Sequence, residues 1–386
     1  MIPYGRQDIT EADIREVVKV LRSDFLTQGP TVLKFEQSIS NYCGVSYAIA
    51  VNSATSALHI ACLALDLGPG DLLWTSPNTF VASANCGRYC GADIDFVDID
   101  PQTYNISINA LSEKLIKAKK LGKLPKIIVP VHFAGQPCDM RAIYDLSKVY
   151  GFKIIEDASH AIGASYQQIK VGSCTHSDIT VFSFHPVKII TTAEGGIALT
   201  NNKKIADKIS RLRTHGITQN KLKMRKRPQQ EIWNYQQIDL GFNYRMNDIQ
   251  AALGLNQLKR LDNYVKSRHR IAKYYDTELK NLSLITPWQL PETYSAYHLY
   301  PILLKSNLDK NIQKKVYNEL RKNKIAANLH YIPVHRHPYY EDLGFKKNDF
   351  PNSEKFHQEA ISIPIYPTLN DKHQKYVVKI LRKLII

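Results

Sequence analysis

The sequence predicts an α/β protein, with a large domain on a mostly parallel, seven-stranded sheet and a smaller α+β domain after it. Three observations carry that prediction. Between Tyr47 and Thr200, seven short apolar runs alternate with longer amphipathic stretches, the pattern of βαβ crossovers and of a sheet covered on both faces. After Asn247 a helical period runs on, through DIQAALGLNQLKRLDNYVKSRHRIAKYYDTEL, to a break at ITPWQLP, and a helix of that length commonly bridges two units. Beyond the break, strand-like HLYPILL and ANLHYI mix with helical IQKKVYNELRKN and KYVVKILRKL. A chain of 386 residues holds about two packed units at roughly 100–200 residues each. The division is placed at residue 250, giving a large domain over 1–250 and a linking helix with the small domain over 251–386.

Taken in order, YAIAV (47–51) leads into SATSALHIACLAL, LLWTSP (72–77) into FVASANCGRYCG, and IDFVDI (94–99) into INALSEKLIKAKK. KIIVPV (126–131) precedes MRAIYDLSKVYG, and KIIED (153–157), DITVFSF (178–184) and GGIALT (195–200) close the series. In such sheets ligands gather beyond the carboxyl ends of the strands. The residues to inspect are therefore Asn52 to Thr55, Ser76 to Phe80, His132 to Gly135, Asp157 to His160 and His185 to Lys188.

Composition narrows the class. Apolar residues make up 44% and charged residues 22%, the balance of a folded soluble protein rather than a disordered or collagen-like one. No apolar run approaches the roughly 18 residues of a membrane span, and MIPYGRQDITEADI lacks the layout of a signal peptide, so a cytoplasmic protein is expected. The net charge is +16, and +11 of it falls from Ala251 onward, where 23 Lys and Arg face 12 Asp and Glu. Those bases are spread as on solvated helix faces; only KLKMRKR, Lys221 to Arg227, is dense. No zinc-finger, RRM or basic-zipper pattern accompanies the charge, which argues against a nucleic-acid binder. The six cysteines read as reduced thiols. Cys86 and Cys90 lack a second ligand pair, no HExxH occurs, and HYIPVHRHPYY reads as a Pro-punctuated loop, so no metal site is expected.

Several motifs are missing: GxGxxG after a strand, GxxxxGK[ST] and GxSxG. What stands at the strand ends is Asp157, closing KIIED, and Lys188, a few residues past DITVFSF. A lysine in such a small, apolar setting can be desolvated, which lowers its pKa and frees the amine to form a Schiff base. A buried carboxylate nearby needs a cationic partner, and a protonated pyridine nitrogen is one, the pairing that pyridoxal phosphate uses. Taken alone, Asp157 also reads as a helix cap and Lys188 as a surface residue. NSATSAL adds hydroxyls and free amides where YAIAV turns into a helix, a phosphate site or equally a plain N-cap. Ser183 offers another hydroxyl, and Phe80 a flat face or a core aromatic.

NSATSALHIACLAL, TSPNTFVASAN, VPVHFAGQPCDM, IIEDASHAIGASY, VFSFHPVKIITTAEGGIALT, RTHGI, GFNYRMNDIQAALGLNQL and HYIPVH resemble, in order and almost end to end, the blocks of the DegT/DnrJ/EryC1/StrS sugar-nucleotide aminotransferases. The combination of EDASH with SFHPVK-x5-EGG is highly specific. The resemblance implies the aspartate-aminotransferase (type I) fold, pyridoxal 5'-phosphate as cofactor, and a homodimer with each active site at the subunit interface. It implies that Lys188 is the Schiff-base lysine and proton carrier, and that Asp157 keeps the pyridine nitrogen protonated. Ala54, Thr55 and Ser183 would hold the phosphate, Asn243 would reach it from the partner subunit, and Phe80 would stack on the ring. Many members carry Gln where this chain has His160. Relatives with histidine in place of the lysine are dehydratases; Lys188 is intact, so transamination is expected.

Within the family, YGRQDIT, FLTQGP, NSATSAL and FHPVKIITTAEGG look most similar to the branch that makes a pseudaminic acid precursor. That branch passes an amino group from L-glutamate to the C4 ketone of a UDP-linked 4-keto-6-deoxy-N-acetyl-hexosamine. By this resemblance Tyr4, Asp24, Phe25, Leu26 and Thr27 would line the sugar pocket, and Asn328, His330 and Tyr331 would close it. FLTQG otherwise reads as an ordinary loop between helices. Two alternatives stay open: the same chemistry on another UDP- or dTDP-linked keto sugar or a cyclitol ketone, and a non-catalytic regulatory or nucleic-acid-binding protein on this fold. The run Lys221 to Arg227 is expected to assist in holding the UDP diphosphate.

Overall fold

The computed structural model describes residues 1–226, 228, 234–305 and 311–385. Seven apolar runs form one sheet: β1 (Tyr47–Val51), β2 (Leu72–Thr75), β3 (Asp93–Phe96), β4 (Ile127–Val129), β5 (Lys153–Asp157), β6 (Ile179–Ser183) and β7 (Gly196–Thr200). Their spatial order is β1-β7-β6-β5-β4-β2-β3. β7 runs antiparallel to both neighbours, and every other pairing is parallel. All five residues of β6 and of β7 are buried, as strands covered on both faces require. LLWTSP and KIIVPV stop as strands at Thr75 and Val129, before Pro77 and Pro130, which have no N–H to give a ladder.

Crossover helices cover the sheet: α3 (Ala54–Ala64), α4 (Ala82–Tyr89), α5 (Ile108–Lys120) and α6 (Met140–Tyr150), preceded by α1 (Glu11–Leu21) and α2 (Pro30–Cys43) and followed by α7 (Lys203–Leu212). Ser53, Ser107 and Asp139 start three of them with side chains that accept an amide hydrogen, satisfying a donor that the first turn leaves unpaired. The carboxyl ends of the parallel strands therefore open along one sheet edge, where short loops carry the polar residues.

The helical period after Asn247 breaks into two helices, α8 (Asp248–Leu258) and α9 (Leu261–Leu279), where a single long one was expected. The break falls at Lys259 and Arg260. There the Arg260 guanidinium turns to the fully buried Asp13 carboxylate at 2.6 Å and to the Tyr264 hydroxyl at 2.7 Å. That tertiary pull is invisible to periodicity, which continues across the kink.

The smaller unit is an antiparallel sheet of β8 (Leu284–Ile285), β9 (Tyr300–Leu304) and β10 (Ala360–Ile363). Helices α10 (Ile312–Lys322) and α12 (Asp371–Leu384) pack on it, their Val316, Leu320, Val377 and Leu381 forming a core with Ile302 and Ile361. Helix α11 (Pro351–Glu359) joins β10. The chain start is stitched to this unit: Ile2–Pro3 pairs in parallel with Ile325–Ala326, and Ile2 lies in the same core. That pairing carries Tyr4 to the segment Asn328 to Tyr331. HYIPVHRHPYY, with the Glu341 that follows it, forms two single helical turns, Val334–Arg336 and Pro338–Glu341, rather than continuous loop. The six cysteines are buried free thiols, and no described helix is long and apolar enough to cross a membrane.

Candidate active site

The loops at the carboxyl edge of the sheet and the segment Asn328 to Tyr331 enclose a cleft of about 520 Å³. Asp157, the last residue of β5, is buried at its floor. Its carboxylate accepts the Ser83 hydroxyl at 2.6 Å and the Ser159 amide at 3.1 Å. Ser83 is itself held 2.8 Å from the Thr79 hydroxyl, one turn earlier on the chain. A neutral hydroxyl and an amide orient this carboxyl group.

Lys188 follows β6 through a turn in which its amide donates to the His185 carbonyl at 2.9 Å. It lines the cleft, and burial pulls its pKa down to about 8, with Asp157 opposing the shift. About a tenth of the amine is thus unprotonated at pH 7, against under about 0.1% for an ordinary surface lysine at about 10.4.

Opposite the lysine, Ser53 stands in extended backbone and caps α3, its hydroxyl accepting the Ser56 amide at 3.1 Å. Ala54 and Thr55 form the first turn and line the cleft, so their amides point where a helix N-terminus attracts an anion. Gly196, at the start of β7, is what lets the strand come this close: a Cβ there would stand 2.4 Å from the Ala54 nitrogen. Ser183, buried at the end of β6, adds a hydroxyl to the same lining. Phe80 is 57% exposed although its ring borders the cleft, leaving an open aromatic face 6.2 Å from the Tyr331 ring.

Three imidazoles form the far wall. The His160 Nε2 lies 3.2 Å from the Tyr331 hydroxyl, and its ring sits 4.3 Å from that of His298. The Nδ1 atoms of His160 and His298 are buried without a hydrogen-bond partner. Burial, aided by the positive charge of Lys188, holds both rings well below their usual pKa and takes His330 down to about 3. His330 is fixed between the Ser362 hydroxyl at 2.9 Å and the Asn328 amide at 3.2 Å. Tyr4 packs against it at 5.2 Å, and burial raises the pKa of both Tyr4 and Tyr331. All of these aromatic groups are neutral at pH 7, which leaves Lys188 as the base whose protonation changes near that pH among these wall and floor groups.

Lys188, Asp157, Ala54, Thr55, Phe80, His160, Ser183, Tyr4, Asn328, His330 and Tyr331 thus converge on one cleft. Asp24, Phe25, Leu26 and Thr27 do not; they are exposed on the connection between α1 and α2. Asn243 is also exposed and outside this chain's cleft, its carbonyl 3.4 Å from the Asn52 side-chain amide. The run Lys221 to Lys226 is a turn with exposed cations, and Arg227 lies outside the described residues. Sequence reasoning missed Ser83 and His298. Ser83 carried a faint signal, one helical turn after Thr79; His298 sits in an unremarkable stretch and arrives only through tertiary packing.

Residues 7–382 match the DegT/DnrJ/EryC1/StrS aminotransferase family. The spore coat polysaccharide biosynthesis protein SpsC of Bacillus subtilis is 37% identical across 100% of this chain and 97% of its own length. The UDP-4-amino-4,6-dideoxy-N-acetyl-beta-L-altrosamine transaminase of Campylobacter jejuni is 37% identical across 98% and 96%. Among solved structures, Helicobacter pylori PseC, an aminotransferase of pseudaminic acid biosynthesis, superposes with a TM-score of 0.89 at 32% identity, covering 99% of this chain and 98% of its own. The PLP-form of the putative sugar aminotransferase Spr1654 of Streptococcus pneumoniae gives 0.88 at 28% identity with 100% of both chains covered.

Proposed function

This chain belongs to the DegT/DnrJ/EryC1/StrS aminotransferase family, and we propose that it transfers an amino group from L-glutamate to C4 of a UDP-linked 4-keto-6-deoxy-N-acetyl-hexosamine. Its product would then be UDP-4-amino-4,6-dideoxy-N-acetyl-β-L-altrosamine, an intermediate toward pseudaminic acid. The observation that carries the reading is the joint presence, in one cleft, of a lysine with a pKa near 8 and a buried carboxylate held only by neutral donors. The similarity to the Campylobacter enzyme and to PseC supports the choice of sugar.

The lining fits pyridoxal phosphate on its own chemistry. Asp157 would hold the ring nitrogen protonated, Ala54, Thr55 and Ser183 would hold the phosphate, Phe80 would cover one ring face, and His160, with its unpartnered Nδ1, would border the ring. When bound, pyridoxal phosphate supplies a covalent anchor for the amine and a sink for the electrons released at the substrate carbon. Lys188 Nζ would hold the cofactor covalently and would carry the proton, a task for which a pKa near the working pH is suited. The neutral His160, His298 and His330 leave its charge state to Asp157 and the bound molecules. Tyr4, Asn328, His330 and Tyr331 would orient the sugar ring.

Asp24 to Thr27 and Asn243, exposed on this chain, are proposed to serve the active site of a second copy in a homodimer. The protein is proposed to act in the cytoplasm.

Incubating the purified enzyme with glutamate and a panel of keto-sugar nucleotides, with NMR of the aminated product, tests the reading. Amination at C4 of the UDP-linked 4-keto-6-deoxy sugar is expected. Turnover confined to a dTDP-linked sugar or to a cyclitol ketone would overturn the assignment of substrate. A second reading has its own support: SpsC is equally identical to this chain, which points to a sugar nucleotide destined for a surface polysaccharide.

A further inference from the structure

We infer that Asp248 is a positioning residue for nucleotide-sugar binding, acting as a clamp that sets the segment Asp24 to Thr27. The inference rests on the sugar-nucleotide reading above and concerns a residue outside the cleft lining.

Asp248 opens α8 and is fully buried. Both its carboxylate oxygens are spent on backbone amides at the start of α2: one accepts Gly29 at 2.8 Å, the other Thr31 at 2.8 Å and Val32 at 3.3 Å. A carboxylate at a helix N-terminus is well placed electrostatically, and charge-assisted bonds of this kind are stronger than neutral ones. The Asp248 amide in turn donates to the Leu26 carbonyl at 2.9 Å, and Thr27 bridges to Asn247. The C-terminal half of the segment, Leu26 and Thr27, is therefore tied to the cap and the first residue of α8.

The same helical turn reaches the cleft. The Gln250 side-chain amide donates to the Glu194 carbonyl at 2.8 Å, and Glu194 lines the cleft a few residues past Lys188. One turn of α8 thus joins the loop that follows the lysine to the exposed FLTQG segment. Phe25 and Leu26 are 54% and 47% exposed, so their side chains are only partly covered by this chain. The Ser23 hydroxyl holds the Phe25 carbonyl at 3.2 Å, and the Asp248 amide holds that of Leu26.

Gly29 shows how tight that arrangement is. A Cβ on it would meet the Phe25 Cβ at 2.5 Å and the Asp248 carboxylate at 3.0 Å, so a methyl group there pushes the segment away without removing a buried charge.

Asp248→Asn and Gly29→Ala test the inference from two directions. The amine-loading half-reaction with glutamate, followed by absorbance, and the transfer half-reaction with the keto-sugar nucleotide are measured separately, together with calorimetric binding of UDP-keto-sugar. Both variants are expected to retain cofactor absorbance and the glutamate half-reaction, while the KM for the sugar nucleotide rises about tenfold, roughly 1.4 kcal/mol in binding. An unchanged sugar-nucleotide KM in a folded variant overturns the inference. So does an equal fall in both half-reactions, which a merely structural role would produce. If Asp248→Asn does not fold, Gly29→Ala alone decides by the same split. A wild-type enzyme without the glutamate half-reaction would instead contradict the proposed function.

Discussion

Two buried aspartates show how burial divides structural from chemical work. Asp248 meets three backbone amides and is fully buried; its charge is consumed in holding one helix start to another. Asp157 is as close to a strand as Asp248 is to a helix, yet it receives one hydroxyl and one amide and lines the cleft beside Lys188. Desolvating a carboxylate is costly unless its charge is compensated. The compensation is complete at Asp248 and left open at Asp157, and the open one is where a cationic ring nitrogen fits.

Substitutions on the cleft side break this comparison most sharply. Lys188→Ala should lower transamination by at least about 10³-fold, since the covalent anchor and the proton carrier are lost together. Loss of the visible absorbance of the cofactor-bound enzyme checks it. Asp157→Asn keeps the shape and removes the charge, so kcat should fall about 10²-fold, in line with the loss of one preorganised electrostatic group. Steady-state kinetics alongside a cofactor titration would separate rate from affinity.

The pH dependence sharpens the same point. With the Lys188 pKa at about 8, the unprotonated nucleophile grows roughly tenfold per pH unit below 8 and levels off above it. Stopped-flow capture of pyridoxal phosphate by the apoenzyme should rise from pH 6.5 to 8 and then flatten; a rise continuing past pH 9.5 would mean an unperturbed lysine. Gly196→Ala forces a methyl group against the Ala54 amide. An overpacking cost of about 1–3 kcal/mol should weaken cofactor binding by about tenfold or more, read from a fluorescence titration. The smallest effect belongs to the basic run: neutralising the exposed Arg225 and Lys226, together with Arg227, should raise the sugar-nucleotide KM up to about fivefold, because a solvent-exposed charge contributes under about 1 kcal/mol. Cofactor retention should not change.

Much of this was legible in the sequence because it is local. Residues at or just past strand ends, such as Asp157, Phe80 and Thr55, share a sheet edge by topology, so their convergence follows once the runs are read as strands of one mostly parallel sheet. The donor that orients Asp157 is less visible: Ser83 lies 74 residues away and meets it only after the sheet has assembled. His298 reaches the wall through the packing of the smaller unit, and the kink at Arg260 comes from a bond to Asp13. The exposure of Asp24 to Thr27 was equally hidden, since FLTQG carries no periodicity to say which way it faces.

The central claim is that Lys188 is the lysine joined to the cofactor. Borohydride reduction of the enzyme after incubation with pyridoxal phosphate, followed by peptide mass mapping, tests it directly. The account predicts the reduced cofactor on the peptide that carries Lys188 and on no other lysine at stoichiometric load; a label on a different lysine, or none, would contradict it.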